Sequence, residues 1–302
     1  MRIISSDEID ACLEDRDVLE TLRRAFRSNI VAPVAPDLRI DRLDQLAGHL
    51  TLQPAWTNFA EQNDVTRGYI GCSLNLDLPE NKGFASNLYL LYSGTGGQPI
   101  ALVDGMRMRT WRTAGVHALA ASYLSREDAR RLLVIGDDLR LPRLLSAYAT
   151  VRNLTSILFA GTSPEVRKKA ANQPELGNVH FGVTSEIHAA QEGADIICVA
   201  GPNNSSGSYD TLTYLDPPVG CHVDILDPSA TLSSELLQES RLFSSDLTAP
   251  ARAELEWAAD LSDLAKGSKA GRRYYGQRTL FLPGARTGLA DFAIAAHIFL
   301  RS

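Results

Sequence analysis

The residues best placed for chemistry follow an apolar run, Leu132 to Ile135, which ends at Gly136 and leads into a predicted helix. A strand, a glycine and a helix in this order form the phosphate-binding loop of dinucleotide-binding proteins, with the pattern G-x-G-x-x-G. The second glycine lets the backbone approach a pyrophosphate, and the third lets the helix pack closely on the strand. In this chain Asp138 and Leu141 stand at those two positions.

A carboxylate at the second position opposes a bound pyrophosphate, because two like charges in a poorly solvated cleft repel by several kcal/mol. The acidic residue that would bind the ribose hydroxyl, expected about 20 positions further on, is also missing from Phe159 to Thr162. We therefore predict that Asp137 or Asp138 caps the following helix in place of a phosphate, and that the chain binds no cofactor. If NAD(P) is retained, Gly136, Asp137 and Asp138 are its predicted contacts.

Other reactive side chains show no catalytic or metal-binding spacing. The histidines lack the spacing of a zinc motif and no Gly-x-Ser-x-Gly sequence occurs, so a metal site is not predicted. The four cysteines lie far apart, which is typical of reduced thiols in a cytoplasmic protein. Any mechanism that needs an amine has few candidates, because the lysines are limited to Lys82, Lys168, Lys169, Lys266 and Lys269.

The composition is that of an ordinary globular protein. Of 302 residues, 44% are hydrophobic and 22% are charged, and the formal net charge is −6. Nucleic acids and anionic membranes attract clustered positive charge, so no binding to either is predicted. The sequence shows neither a signal-peptide pattern nor an apolar run of membrane-spanning length, which indicates a cytoplasmic location.

Two patterns of elements divide the chain. A first helix is predicted with Ser6 as its cap, and Tyr69 to Leu78 with Ala85 to Tyr92 has the pattern of a hairpin. From Arg131, short apolar strands alternate with helices, which indicates parallel βαβ units. The predicted fold class is therefore α/β, with a Rossmann-like parallel-sheet domain and an α+β lobe that the C-terminal helix completes.

The predicted boundaries follow from the same change of pattern. The Rossmann-like domain is expected at 120–278. The other lobe is expected at 1–119 together with 279–302.

Several motifs lie in the order found in the ornithine cyclodeaminase/μ-crystallin family, and the chain resembles that family over most of its length. Each motif is short, but the ordered set is specific. The motifs are Leu50–Ala55, Pro79–Asn81, Ala101–Gly105, Arg112–Gly115, Ala194–Ile197, and a closing segment with Asp263, Leu264, Gly267, Arg272 and Thr279–Phe281.

The resemblance implies a homodimer built through the first lobe, a separate nucleotide-binding lobe, and a small amino-acid-like ligand held by its carboxylate. Arg39 and Arg112 match the two arginines that bind this carboxylate in the family. A guanidinium suits that role, because its planar fork can donate two parallel hydrogen bonds to a carboxylate.

The chain departs from the family at the catalytic positions. The family's lysine maps to Ser73, so Ser73 is predicted to border the substrate, and Lys82 is the nearby amine. The family's catalytic aspartate maps to Ser229, and Asp224 and Asp227 are close enough in sequence to replace it. Asp227, Asp224 and Lys82 are therefore the candidate acid–base groups.

Three functions remain open at this point. The first is an enzyme of amino-acid metabolism, biosynthetic or catabolic, that acts on a small amino acid or its imine by altered, NAD-independent chemistry. The second is an NAD(P)-dependent ketimine reductase or amino-acid dehydrogenase. The third is a non-catalytic protein in which the cleft binds a ligand or a partner.

Overall fold

The computed structural model describes residues 1–34, 36–43, 46–60, 68–78, 86–201, 215–227, 230–248 and 254–302. The chain forms two compact units. Unit 1 comprises Met1–Arg112 and Arg286–Ser302, and unit 2 comprises Thr113–Ala285. Within the described ranges, no helix has both the length and the apolarity needed to cross a membrane.

The described elements run in chain order as follows. They begin with β1 (Arg2–Ile4), α1 (Ser6–Cys12), α2 (Asp15–Arg27), β2 (Asp37–Ile40), β3 (Gly48–Trp56), β4 (Tyr69–Asp77), β5 (Ser86–Ser93), β6 (Pro99–Asp104) and α3 (Gly105–Leu124). They continue with β7 (Arg131–Ile135), α4 (Leu141–Val151), β8 (Ser156–Ala160), α5 (Pro164–Ala171), the short 3₁₀ helix Pro174–Leu176, β9 (His180–Val183), α6 (Ile187–Glu192), β10 (Ile196–Val199), β11 (His222–Ile225), α7 (Ser234–Glu239), β12 (Arg241–Ser244), β13 (Ala259–Asp260), α8 (Leu261–Lys266), β14 (Thr279–Leu282) and α9 (Gly288–Arg301).

Helix α1 begins at a capping box, one residue earlier than predicted. The cap is Ser5, whose hydroxyl accepts the Glu8 N–H while the Glu8 carboxylate accepts the Ser5 N–H at 2.8 Å. Ser6 is already helical, and a cap needs the extended backbone that Ser5 has. The prediction of Ser6 as the cap was therefore wrong.

Unit 1 is built on a sheet whose described strands have the order β1-β6-β5-β4-β3-β2. The β1–β6 pair is parallel and the others are antiparallel, so the predicted hairpin of β4 and β5 is confirmed. Helix α9 packs on β3, β4 and β5 and also on α2. Alternate strand residues therefore face α9, and Ala55, Tyr89 and Leu91 on that face have no exposed surface.

Unit 2 is a Rossmann-like domain with a parallel sheet in the order β13-β12-β14-β11-β10-β7-β8-β9. Every described strand pair in it is parallel. Strands β10, β11 and β14 are buried along their whole length, as expected when helices cover both faces of a sheet. The predicted α/β class and βαβ pattern are confirmed.

The position of β14 corrects one predicted boundary. We assigned Thr279–Leu282 to the first lobe, but this strand lies between β11 and β12 in the sheet of unit 2. The reason is its composition, since four consecutive buried residues suit a central parallel strand. The second unit accordingly extends to Ala285, and it begins at Thr113 within α3.

Candidate functional site

Arg112 lies in α3 and is held by a carboxylate from the far end of the chain. Its Nε donates to Asp291 Oδ1 at 2.9 Å, and the two side chains are only 13% and 5% exposed. Asp291 is in the first turn of α9, where the helix dipole favours a negative charge. A pair this well shielded from water holds the guanidinium in one orientation.

The same carboxylate is tied to the sheet of unit 1. Thr287 donates its hydroxyl to Asp291 Oδ2 at 2.6 Å, and its backbone N–H donates to Gln53 Oε1 at 3.2 Å. Gln53 lies on β3 directly opposite Ser73 on β4. These hydrogen bonds therefore connect Arg112 to a residue that lies beside Ser73 on the neighbouring strand. Both Arg112 and Ser73 are predicted to contact the ligand.

Polar side chains continue across this face of the sheet. Ser73 is 4% exposed and donates to Asn87 Oδ1 at 3.2 Å. Tyr89 on β5 is opposite Ser73, and burial, with the charge of Asp291 as a second cause, raises the pKa of Tyr89 well above its usual value. Asn75 Oδ1 and Tyr89 Oη are buried and have no hydrogen-bond partner among the described residues. A buried polar atom without a partner costs about 1–3 kcal/mol, so such atoms require an explanation.

Arg39 lies apart from this cluster. Its side chain is 70% exposed on the edge strand β2 and pairs with Asp41 at 2.8 Å. Its strand partner is His49, four residues from Gln53, which corresponds to roughly 13 Å along β3. The predicted joint grip of Arg39 and Arg112 on one carboxylate is therefore not present within unit 1. Lys82 lies in 79–85, outside the described residues.

In unit 2 the backbone of the loop after β7 is held by hydrogen bonds to the loop's own side chains. Gly136 has φ +91°, and a Cβ there would lie 1.9 Å from the carbonyl oxygen of Gly201. Asp138 Oδ1 accepts the Arg140 N–H at 2.7 Å, and the Arg140 guanidinium donates to both carboxylate oxygens at 2.9 and 2.6 Å. The N–H two residues on donates to Asp138 as expected, but Arg140 is itself the cap residue of α4 and no described side chain caps that helix. The prediction that Asp137 or Asp138 caps the helix was therefore wrong.

Asp137 has a different partner, the start of α5. Its Oδ1 accepts the backbone N–H and the hydroxyl of Ser163, both at 3.2 Å. Leu141, the first residue of α4, has no exposed surface. The positive φ at 136 and the close carbonyl of Gly201 both require a glycine there, so this glycine is not by itself a sign of a pyrophosphate site. These residues do not fit a dinucleotide.

Asp224, one of the predicted acid–base groups, is buried. It has no exposed surface on β11, where one oxygen lies 2.6 Å from His117 Nδ1 and the other accepts the Tyr148 hydroxyl. Burial, and next the charge of Asp224, raise the pKa of Tyr148 well above its usual value. The arrangement holds α3 and α4 on the sheet, which is a positioning role.

Asp227 is better placed than Asp224, since it follows β11 at the carboxyl end of the parallel strands. It is partly buried, and its charge acts on Arg140. Ligands bind at this edge of open α/β sheets. Ser229 lies outside the described residues, and within them no cluster of three or more potential metal ligands occurs.

Several of these residues could not be selected from the sequence. Asp291, Thr287 and Gln53 lie near Arg112 only because α9 returns to β3, a contact between distant parts of the chain. The available signal was the alternation of polar residues at 73 and 75 on β4 and at 87 and 89 on β5, which marks one sheet face.

A mostly antiparallel sheet in one unit and a Rossmann-like parallel sheet in the other define an α/β protein of two units. The chain belongs to the ornithine cyclodeaminase/mu-crystallin family, whose model matches residues 48–301.

Named relatives of this chain include reductases of cyclic imines. A Delta(1)-pyrroline-2-carboxylate reductase of Colwellia psychrerythraea is 27% identical over 82% of this chain and 78% of its own length.

Solved structures show the same fold. The Thermococcus litoralis Delta(1)-pyrroline-2-carboxylate reductase in complex with NADH and L-proline has a TM-score of 0.79 at 21% identity, covering 100% of this chain and 97% of that one. An archaeal alanine dehydrogenase dimer with bound NAD has a TM-score of 0.80 at 19% identity, with coverages of 100% and 95%. Both contain a dinucleotide, so they give no support to the expectation of a site without a cofactor.

Proposed function

We propose that this protein is an enzyme of amino-acid metabolism that binds a small amino acid, or an imine derived from one, through the ligand's carboxylate at Arg112. The observation that carries the proposal is the state of the Arg112 side chain. Asp291 engages only Nε, and neither terminal nitrogen donates a hydrogen bond to any residue that the structure describes. Those two nitrogens point the same way on a planar group, so they offer a carboxylate bidentate binding.

The polar face of unit 1 supports a ligand that also contains nitrogen. Asn75 Oδ1 is a buried acceptor to which no residue in the described part of the chain donates. An ammonium or imine N–H is a donor that would satisfy it. The uncharged Ser73, which the resemblance places at the position of the family's lysine, adds no second positive charge there.

For acid–base chemistry we propose Asp227 as the first candidate and Lys82 as the second. Asp227 is at the ligand edge of the parallel sheet and keeps access to solvent. Asp224 is proposed as a positioning residue, because its two oxygens are engaged by His117 and Tyr148. Arg39 lies apart from the described cluster, so it stays a candidate only for contacting a ligand that lies outside that cluster.

A second candidate function is an NAD(P)-dependent imine reductase or amino-acid dehydrogenase. It is supported by the reductase named among the relatives and by the two solved structures that contain a dinucleotide. In that case Gly136, Asp137 and Asp138 would have to rearrange to admit the cofactor.

We also propose a homodimer, formed through the outer face of the sheet in unit 1. Residues Leu52, Leu74 and Leu90 alternate with the residues that face α9, and their neighbours Ile70 and Leu88 are 37% and 48% exposed. An exposed apolar sheet face of this kind marks an interaction surface.

The four cysteines are free thiols, which suits the cytoplasm as the proposed location.

A paired ligand screen tests the proposed function. Each α-amino acid is compared with the amine that lacks its carboxylate, by thermal shift on the purified protein. Ligand at about 100 times its Kd raises the free energy of unfolding by about 2.7 kcal/mol. We expect stabilisation by at least one amino acid or cyclic imino acid and none by its amine. Equal stabilisation by both members of each pair, or by neither, would contradict the proposal.

A further inference from the structure

The turn after β7 is held by an ion pair within the loop itself. Asp138 accepts three hydrogen bonds from Arg140, one from its backbone N–H and two from its guanidinium. Both side chains are mostly shielded from water, at 18% and 25% exposed. A pyrophosphate on this turn would need the same backbone N–H, and it would have to displace a carboxylate of its own sign of charge.

Arg140 is not free to bind a phosphate in place of the missing glycines. Burial lowers the pKa of Arg140, but the hydrogen bond and charge of Asp138, followed by the charge of Asp227, outweigh burial and hold this pKa above its usual value. The guanidinium is thus already balanced by carboxylates that follow β7 and β11. Of the four groups Asp137, Asp138, Asp227 and Arg140, three are negative, so together they repel an anion.

The neighbouring positions are filled as well. Asp137 accepts the N–H of Ser163 at the start of α5, next to the position where a dinucleotide's adenosine ribose would be recognised. Leu141 is fully buried at the start of α4, the position at which dinucleotide-binding loops carry the glycine that lets helix and strand pack closely. Two contacts of a dinucleotide, and the glycine that lets the helix pack closely on the strand, are therefore replaced by other side chains of this protein.

We propose that Asp137, Asp138, Arg140 and Leu141 together replace the dinucleotide at this edge of the sheet, so that the protein binds neither NAD(H) nor NADP(H). The reaction of its carboxylate ligand then proceeds without hydride transfer from a dinucleotide, which leaves proton transfer or addition and elimination. This inference rests on unit 2 alone, so it stands or falls independently of ligand binding at Arg112.

Fluorescence titration of the full-length protein with NADH and with NADPH tests the inference. We expect no saturable change up to about 1 mM dinucleotide, and no rise in Tm at that concentration. The Asp138→Gly/Leu141→Ala variant is expected to gain at least tenfold in affinity, because it restores the two small residues. Asp138→Gly alone is expected to gain little, since Leu141 still fills the helix–strand contact.

Asp246→Gly is the matched control, because Asp246 makes the same turn elsewhere and accepts the Thr248 N–H at 2.8 Å. It is expected to leave dinucleotide binding unchanged. Thermal unfolding shows that each variant is folded, and Asp138→Asn combined with Leu141→Ala, with the same expected gain, serves if the first double variant is not. Saturable binding to the unmodified protein with a Kd below about 100 µM overturns the inference. So does a folded double variant that gains no affinity, because the loop would then not be what excludes the dinucleotide.

Discussion

At the scale of single residues, the carboxylate site depends on how Arg112 is oriented. Asp291 accepts a hydrogen bond from Nε and leaves the two terminal nitrogens available. A ligand therefore binds a guanidinium whose orientation is already fixed. Fixing it beforehand reduces the side-chain entropy lost when a ligand binds. Arg107, on the same helix, pairs with Asp10 at 2.6 Å at the surface and offers a natural comparison.

Loss of the Asp291 carboxylate should destabilise the fold strongly, because its ion pair is buried. Asp291→Ala leaves the guanidinium without its partner, and we expect a loss of about 3–5 kcal/mol in the free energy of unfolding, measured in urea. Glu165→Ala breaks the exposed pair with Lys169, and it should cost less than about 1 kcal/mol. Equal losses in the two variants would show that Asp291 is not part of a desolvated pair.

His222 should make stability depend on pH. Burial lowers the pKa of His222 from 6.5 to about 4. As pH falls below 6.5, His222 is protonated in the unfolded chain but stays neutral in the folded protein. The free energy of unfolding is therefore highest above pH 6.5 and declines until about pH 4. The total loss is about 3 kcal/mol. His222→Gln should flatten this part of the pH profile in denaturant unfolding, and an unchanged slope would contradict the assignment.

At the scale of elements, the loop after β7 is constrained by backbone packing. Gly136 has a positive φ and lies against Gly201, whereas Gly267 has φ +71° and open space around it. Gly267→Ala should therefore cost only conformational strain, about 1 kcal/mol, and Gly136→Ala clearly more, about 3 kcal/mol or above. Thermal unfolding of both variants measures the difference. Similar costs would mean that the approach of Gly201 is not tight.

The elements themselves were largely predictable from residue patterns. Apolar strands alternating with helices after Arg131 predicted the parallel sheet, and the hairpin of β4 and β5 followed from two apolar runs around a turn. The position of β14 was not predictable, because its four apolar residues specify burial and not which strands lie beside it. The contacts of Asp224 with His117 and Tyr148 were missed for the same reason, as they join α3, α4 and β11.

At the scale of the whole molecule, the proposed homodimer uses the outer sheet face of unit 1. Leu88→Glu places a charge on this face at a site that is half exposed in the single chain, so folding should be preserved. We expect a mass near twice 32.9 kDa for the unmodified protein by light scattering, and dissociation of Leu88→Glu. Val219→Glu, at an exposed site in unit 2, is the control. A monomeric unmodified protein would contradict the proposed dimer.

The central claim is that the guanidinium of Arg112 binds the carboxylate of an amino-acid-like ligand, and calorimetric titration of the Arg112→Ala variant tests it most directly. With the ligand found by the paired screen, we expect an affinity loss of about 2–4 kcal/mol relative to the unmodified protein. Arg112→Lys should lose part of this, since it keeps the charge without the fork. Arg107→Ala should bind as the unmodified protein does. Unchanged affinity in a folded Arg112→Ala variant would contradict the account.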